Sequence, residues 1–212
     1  MTDLKNNLDR IAEQVRLGLI AKDASREKAL PLSREAIRYC STAIRSLHRH
    51  KYDAAAAMLK TARGLLDEAE KAVSECELAS TAFIWDAEKE YTEGSTLLAI
   101  VTGKEVPSPG ELRVEDAAYL NGLGEAASEL RRYILDNLRR GDVSRGEELL
   151  TAMDEIYNIL VTIDFPDAIT GGLRRTTDMV RGVLERTRSD LTLMLTQLNL
   201  ETKLSNYEKN IK

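Results

Sequence analysis

Apolar residues return every three to four positions along nearly the whole chain, and this period constrains the fold more than any other feature. Ala55, Met58, Leu59, Ala62, Leu65, Leu66, Ala69, Ala72 and Val73 form one helical stripe. Leu149, Leu150, Met153, Ile156, Tyr157, Leu160 and Val161 form a second; Met179, Val183, Leu184, Leu191, Met194, Leu195 and Leu198 form a third. Strand-type alternation is nearly absent. Ile100-Val101-Thr102 is the best short stretch, and Gly103 after it reads as a helix stop. Four prolines and twelve glycines in 212 residues are too few for the turns of a sandwich or barrel. The pattern predicts an all-α fold in a single domain over residues 1–212. Seven helices are expected, at 3–28, 32–49, 52–78, 80–102, 114–140, 144–163 and 174–205. The breaks rest on Pro31 with Ser33 as N-cap, on His50 to Asp53, and on the loop Gly103 to Gly110. They rest further on Gly141 at a C′ position, on Asp164-Phe165-Pro166 and on Gly171-Gly172. Short connections predict antiparallel neighbours. The polar tail from Glu201 is expected to fray.

Composition excludes several classes. A hydrophobic fraction of 43% is too high for global disorder. No apolar run reaches the length of a membrane span, and the first residues do not lead into a signal-peptide core. Cys40 and Cys76 read as buried free thiols in a reducing compartment, which makes the cytoplasm the expected location. With a formal net charge of -5, a nucleic-acid site must be a local basic patch on an acidic protein. The last helix carries Leu173, Val180, Leu191, Leu193, Leu198 and Leu200 around much of its circumference. It is either a buried central helix or one with a second face covered by another subunit.

Much chemistry is missing. Two histidines, His48 and His50, exclude histidine-rich metal sites, and no Glu-x-x-His pair exists for a ferritin-like centre. Neither a Cys-x-x-Cys, a Walker loop nor a His-Glu-x-x-His occurs. Gly122-Leu123-Gly124 lacks the third glycine of a dinucleotide loop.

Four carboxylates do carry a hypothesis. Glu90 and Glu93 share a helix face, and Glu90 interrupts the apolar stripe Phe83, Ala87, Gly94, Leu97, Val101. An acid on a core-facing stripe is costly unless its charge is compensated, and a cation is one compensation. Gly94, one turn on, is read as leaving room for a ligand. Glu125 and Glu129 form a second pair on the following helix, one turn after Gly122. Antiparallel packing of the two helices would gather all four. Hard oxygen ligands suit Mg²⁺ or Mn²⁺, which can activate water and offset phosphate charge. Acidic pairs at these spacings also occur on solvated faces. Arg34, Arg38, Arg45 and Arg49 line one side of a helix, either as a solvated face or as a phosphate-tracking surface. Few aromatics interleave with them, which favours backbone contact over base stacking.

The stretch Val114-Glu115-Asp116-Ala117-Ala118-Tyr119-Leu120-Asn121-Gly122 resembles the translin family, which includes translin and translin-associated factor X (Trax). The resemblance continues through Ala127-Ser128-Glu129-Leu130, Gly141-Asp142-Val143-Ser144-Arg145 and Asp154-Glu155-Ile156-Tyr157. At the front, Leu32-Ser33-Arg34-Glu35 and Leu47-His48-Arg49 are similar to Trax; the third helix matches poorly. Glu90-Tyr91-Thr92-Glu93 looks like the Trax-type Glu-Tyr-x-Glu motif. Glu125 stands where Trax has an aspartate and translin an apolar residue, and Glu129 where both have a glutamate. The resemblance implies a seven-helix bundle and an Mg²⁺-dependent endoribonuclease. Glu90, Glu93 and Glu125 would be metal ligands, and Glu129 a fourth ligand or the orienter of water. It further implies octameric shells enclosing RNA or single-stranded DNA, here a homo-octamer with no membrane partner. A shell would reconcile the acidic charge with an arginine-lined interior. The alternative is a translin-like binder without catalysis. A third class, the all-helical nucleoside triphosphate pyrophosphohydrolases, also uses Glu-x-x-Glu, but its second acidic pair is spaced by three, not four.

Overall fold

The computed structural model describes residues 2–74 and 82–211; Cys76, the end of the expected 52–78 helix and the start of the 80–102 helix lie outside them. Eight helices occur among the described residues, and no strand. They are α1 (Thr2–Leu47), α2 (Tyr52–Ser74), α3 (Ala82–Val101), α4 (Pro109–Leu112), α5 (Asp116–Leu138), α6 (Gly146–Thr162), α7 (Asp167–Thr170) and α8 (Leu173–Ile211). No described helix is long and apolar enough to cross a membrane.

The first two expected helices are one. Pro31 lies inside α1. A proline inside a helix removes one hydrogen bond and clashes with the preceding turn, but here packing outweighs that cost. Ala29, Ser33, Ala36, Cys40, Ala43 and Leu47 are all fully buried against the bundle. Ser33 is therefore a buried helical residue and not an N-cap, and its hydroxyl has no hydrogen-bond partner. Before Ala29 the helix projects, with Leu4, Leu8, Ile11, Val15 and Leu19 exposed. The hairpin of α1 and α2 is laced by small residues seven apart: Ala29, Ala36 and Ala43 on one helix, Ala55, Ala62 and Ala69 on the other, all fully buried. His50, in the left-handed region at φ 57, makes the turn between them.

The central helix is α3, which packs on α1, α2, α5 and α6. α8 is not central. Its first half buries Leu173, Val180, Leu184 and Leu191, while Leu193, Leu200, Leu204 and Tyr207 are exposed. α8 is helical through Ile211, and from Glu201 to Lys209 its side chains are exposed. Leu193, Leu200, Leu204 and Tyr207 continue the helical period there.

The sense of α3 and α5 departs from expectation. The Glu115 N–H donates to Glu88 at 3.3 Å, Gly122 abuts Lys89, and Arg145, just past α5, donates to the Val101 carbonyl at 2.5 Å. The registers rise together, so α3 and α5 run parallel, not antiparallel. Residues 102–115 run back along α3 to make this possible. At ~3.3 Å per extended residue they readily span the ~30 Å of a 20-residue helix. Ser108 and Glu111 form a capping box that starts α4 within this return. Gly103 (φ +68) and Gly141 (φ +81) end α3 and α5 as expected.

Candidate metal centre and basic face

Parallel packing still gathers the acids. Carboxylate oxygens of Glu90, Glu93 and Glu125 lie within 4.8 Å of one another. The approach depends on glycine. A Cβ on Gly122 would stand 2.7 Å from the Lys89 carbonyl oxygen and 2.6 Å from Thr92 Cβ. With no side chain there, α5 rests on α3 one turn before Glu125. Gly124 serves α8 in the same way, where its Cβ would meet Thr176 at 2.3 Å. Gly94 does not open ligand space: its Cβ would lie 2.9 Å from Leu59 Cδ2, so it is a packing contact with α2.

The three glutamates wall an open cavity of about 560 Å³, together with Ser41, Ile44, Arg45, Ser128, Glu129 and Arg132. Glu93 is the deepest, 8% exposed. Burial first, and then the charges of Glu90, Glu125 and Glu129, push its carboxyl up to about 9. Glu90 is raised by burial and by Glu125. Lys89 Nζ donates to Glu125 at 2.7 Å and covers one acid of the set. A neutral Glu93 or a bound cation relieves the remaining crowding. Three oxygen donors without nitrogen or sulfur fit a hard divalent ion. Cys40 is a buried free thiol beside them; burial and the two α3 glutamates raise it, so it stays protonated.

Glu129 is on the cavity wall but outside the three-oxygen group. His48 Nε2 lies 2.5 Å from its Oε2, and Arg132 Nη1 lies 3.6 Å from the same oxygen. Arg45 is the one member of the expected arginine stripe that lines the cavity. Arg34 and Arg38 are exposed on α1 and Arg49 is exposed in the turn that follows it, so the expected stripe of four is not continuous on one helix; none of the three has an ion pair to a described acid. Lys89 and His48 carry no signal in the sequence, because their partners are fixed only by the packing of α1, α3 and α5. Glu88, also not singled out, is a buried acid pushed up to about 7 mainly by burial, and its carboxylate receives the first N–H of α5.

An all-helical bundle with a cluster of three carboxylates set between two parallel helices, beside exposed arginines of α1, defines the class. The chain belongs to the translin family. It matches the crystal structure of AfC3PO with a TM-score of 0.80 and 33% identity, over 88% of this chain and 97% of that one. A structure described as an AfC3PO–duplex RNA complex matches equally, with TM-score 0.80 and 33% identity. Apo-NeC3PO shares the fold at TM-score 0.76 and 20% identity, covering 89% of this chain and 97% of that one. An uncharacterized protein of Methanocaldococcus jannaschii is 28% identical over 192 residues, which is 88% of this chain and 83% of that protein. No family model matches the chain.

Proposed function

We propose that this chain is a divalent-metal-dependent endoribonuclease of the Trax branch, working as a homo-oligomeric shell, an octamer, in the cytoplasm. The observation that carries the reading is the convergence of Glu90, Glu93 and Glu125 to within 4.8 Å in a cavity that also holds Arg45. Glu90 and Glu93 belong to the Trax-type Glu-Tyr-x-Glu motif, and Glu125 supplies the acid that translin lacks. RNA as the ligand is supported by AfC3PO, a relative described in complex with duplex RNA.

In this reading Glu90, Glu93 and Glu125 hold Mg²⁺ or Mn²⁺. Such an ion lowers the pKa of water and offsets charge on the scissile phosphate. Arg45 and Arg132 bind the phosphate at the cavity mouth, and Arg34, Arg38 and Arg49 carry the flanking backbone along α1 and the turn after it. Lys89 keeps Glu125 in place. The shell places the acidic cavities and the arginine face inside and leaves an acidic exterior.

The test is incubation of the purified chain with end-labelled single-stranded RNA and a matched duplex, in Mg²⁺ and in EDTA. Cutting in Mg²⁺ that stops in EDTA supports the nuclease. RNA that is bound in both conditions and cut in neither assigns the chain to the non-catalytic, translin-like class.

A further inference from the structure

His48, at the end of α1, is 5% exposed, and its two ring nitrogens face two acids of α5. Nε2 lies 2.5 Å from Glu129 Oε2, and Nδ1 lies 3.9 Å from Asp136 Oδ2. Nδ1 has no hydrogen-bond partner although it is buried. An ionised carboxylate offers only lone pairs, so Nε2 carries the proton and donates it to Glu129. The backbone and the ring of His48 each have a neighbour. Arg140 Nη2 donates to the His48 carbonyl at 3.3 Å, and the Tyr133 ring packs with its centroid 6.2 Å away.

Both contacts on Glu129, from His48 and from Arg132, fall on Oε2. Oε1 remains for the cavity. Glu90, Glu93 and Glu125 form the oxygen cluster without Glu129. A rigid, buried donor that pins one oxygen of a cavity carboxylate orients the other oxygen, as outer partners do around metal sites.

Resting on the nuclease reading above, we propose that His48 is a positioning residue. It holds Glu129 by Oε2 apart from the three-acid group, so that Oε1 takes the proton of the attacking water. In that step the water oxygen bonds to phosphorus and the bond from phosphorus to the leaving ribose oxygen breaks. The water proton passes to Glu129 Oε1, and the leaving oxygen takes a proton from solvent.

The test compares His48→Ala, His48→Asn and His48→Gln with wild type. A glutamine amide nitrogen reaches the place of Nε2, whereas an asparagine nitrogen reaches only that of Nδ1. kcat for RNA cleavage falls ~10- to 100-fold in the alanine and asparagine variants. KM stays within about twofold, and glutamine recovers most of the loss. Mn²⁺ binding, followed by calorimetry without RNA, stays within about twofold in all three, because Glu129 is not one of the ligands. ¹⁵N spectra of the histidines place the proton of His48 on Nε2. Should the alanine variant unfold, the glutamine and asparagine variants at matched Tm decide the matter. Equal kcat in wild type and His48→Ala, equal impairment of the glutamine and asparagine variants, or Mn²⁺ affinity falling in step with kcat overturns the proposal. A wild type that binds Mn²⁺ and leaves RNA intact overturns the nuclease reading instead.

Discussion

Gly122 sits where a Cβ would stand 2.7 Å from the carbonyl oxygen of Lys89, so α5 meets α3 backbone to side face at that point. The carboxylate cluster depends on this contact, because Glu90 and Glu93 follow Lys89 and Glu125 follows Gly122 by one turn. A backbone oxygen cannot swing aside as a side chain can. Gly122→Ala is therefore expected to cost about 1–3 kcal/mol by overpacking. That corresponds to a Tm lowered by about 2–4 °C for each kcal/mol. The same variant should weaken Mn²⁺ binding, since the helices must part. Gly64→Ala, where a Cβ meets nothing within 4 Å, is the control and should not lower Tm. A Gly122→Ala protein with wild-type Tm and wild-type Mn²⁺ affinity contradicts the account of the contact.

The buried acids give the metal-free protein a pH dependence of definite sign. Glu93 is pushed up to about 9 and Glu88 up to about 7, from an ordinary value of 4.5, in each case chiefly by burial. The folded chain thus binds these protons more tightly than the unfolded chain. Stability is greatest below the unfolded value and falls as pH rises toward the folded values. Thermal melts in EDTA should show Tm declining between pH 5 and pH 9. Glu93→Gln should flatten the decline over the whole of this range, and Glu88→Gln only the part below about pH 7. A Tm that rises over this range would refute the assignment.

Cation binding is linked to the same proton. At neutral pH Glu93 holds a proton that a ligand carboxylate must give up. Mn²⁺ titrations at pH 7.5 in two buffers of different ionisation enthalpy should reveal release of about one proton per ion. Affinity should tighten as pH rises. Affinity independent of pH between 6.5 and 8.5 would show that Glu93 is not a ligand.

The arginines of α1 make a prediction about salt. Each phosphate contact to a single strand contributes about 0.7 to the slope of log affinity against log salt. Changing Arg34, Arg38 and Arg49 together to alanine should lower that slope by about 2, with no change in base preference. These side chains are exposed, Arg34 and Arg38 on α1 and Arg49 in the turn after it, so the fold should be unaffected. An unchanged slope would return them to the role of a solvated face.

The helical period made α2, α6 and the first half of α8 legible, because each buries one continuous stripe. Glu90 was legible for the opposite reason, as an acid set into the apolar line of α3. Pro31 misled, since its local cost is real but smaller than what the burial of Ala29 through Leu47 returns. Gly94 misled because a missing side chain can serve a neighbour such as Leu59 as readily as a ligand. The parallel sense of α3 and α5 depends on a return segment whose capping box, Ser108 to Glu111, is hard to read between Pro107 and Pro109 in a stretch that otherwise looks like a loop. The contacts of Glu129 with His48 and of Glu125 with Lys89 span 81 and 36 positions of sequence and follow no pattern along the chain. They exist only once α1, α3 and α5 are packed.

The claim at the centre is that Glu90 and Glu93 hold the ion that cuts RNA. It is tested most directly by the Glu90→Ala/Glu93→Ala variant, measured beside wild type for Mg²⁺-dependent cleavage of end-labelled RNA and for RNA affinity in EDTA. The account predicts cleavage reduced by at least ~10²-fold, with assembly size unchanged and RNA affinity within about threefold. Cleavage that persists at the wild-type rate in a correctly assembled variant would contradict it.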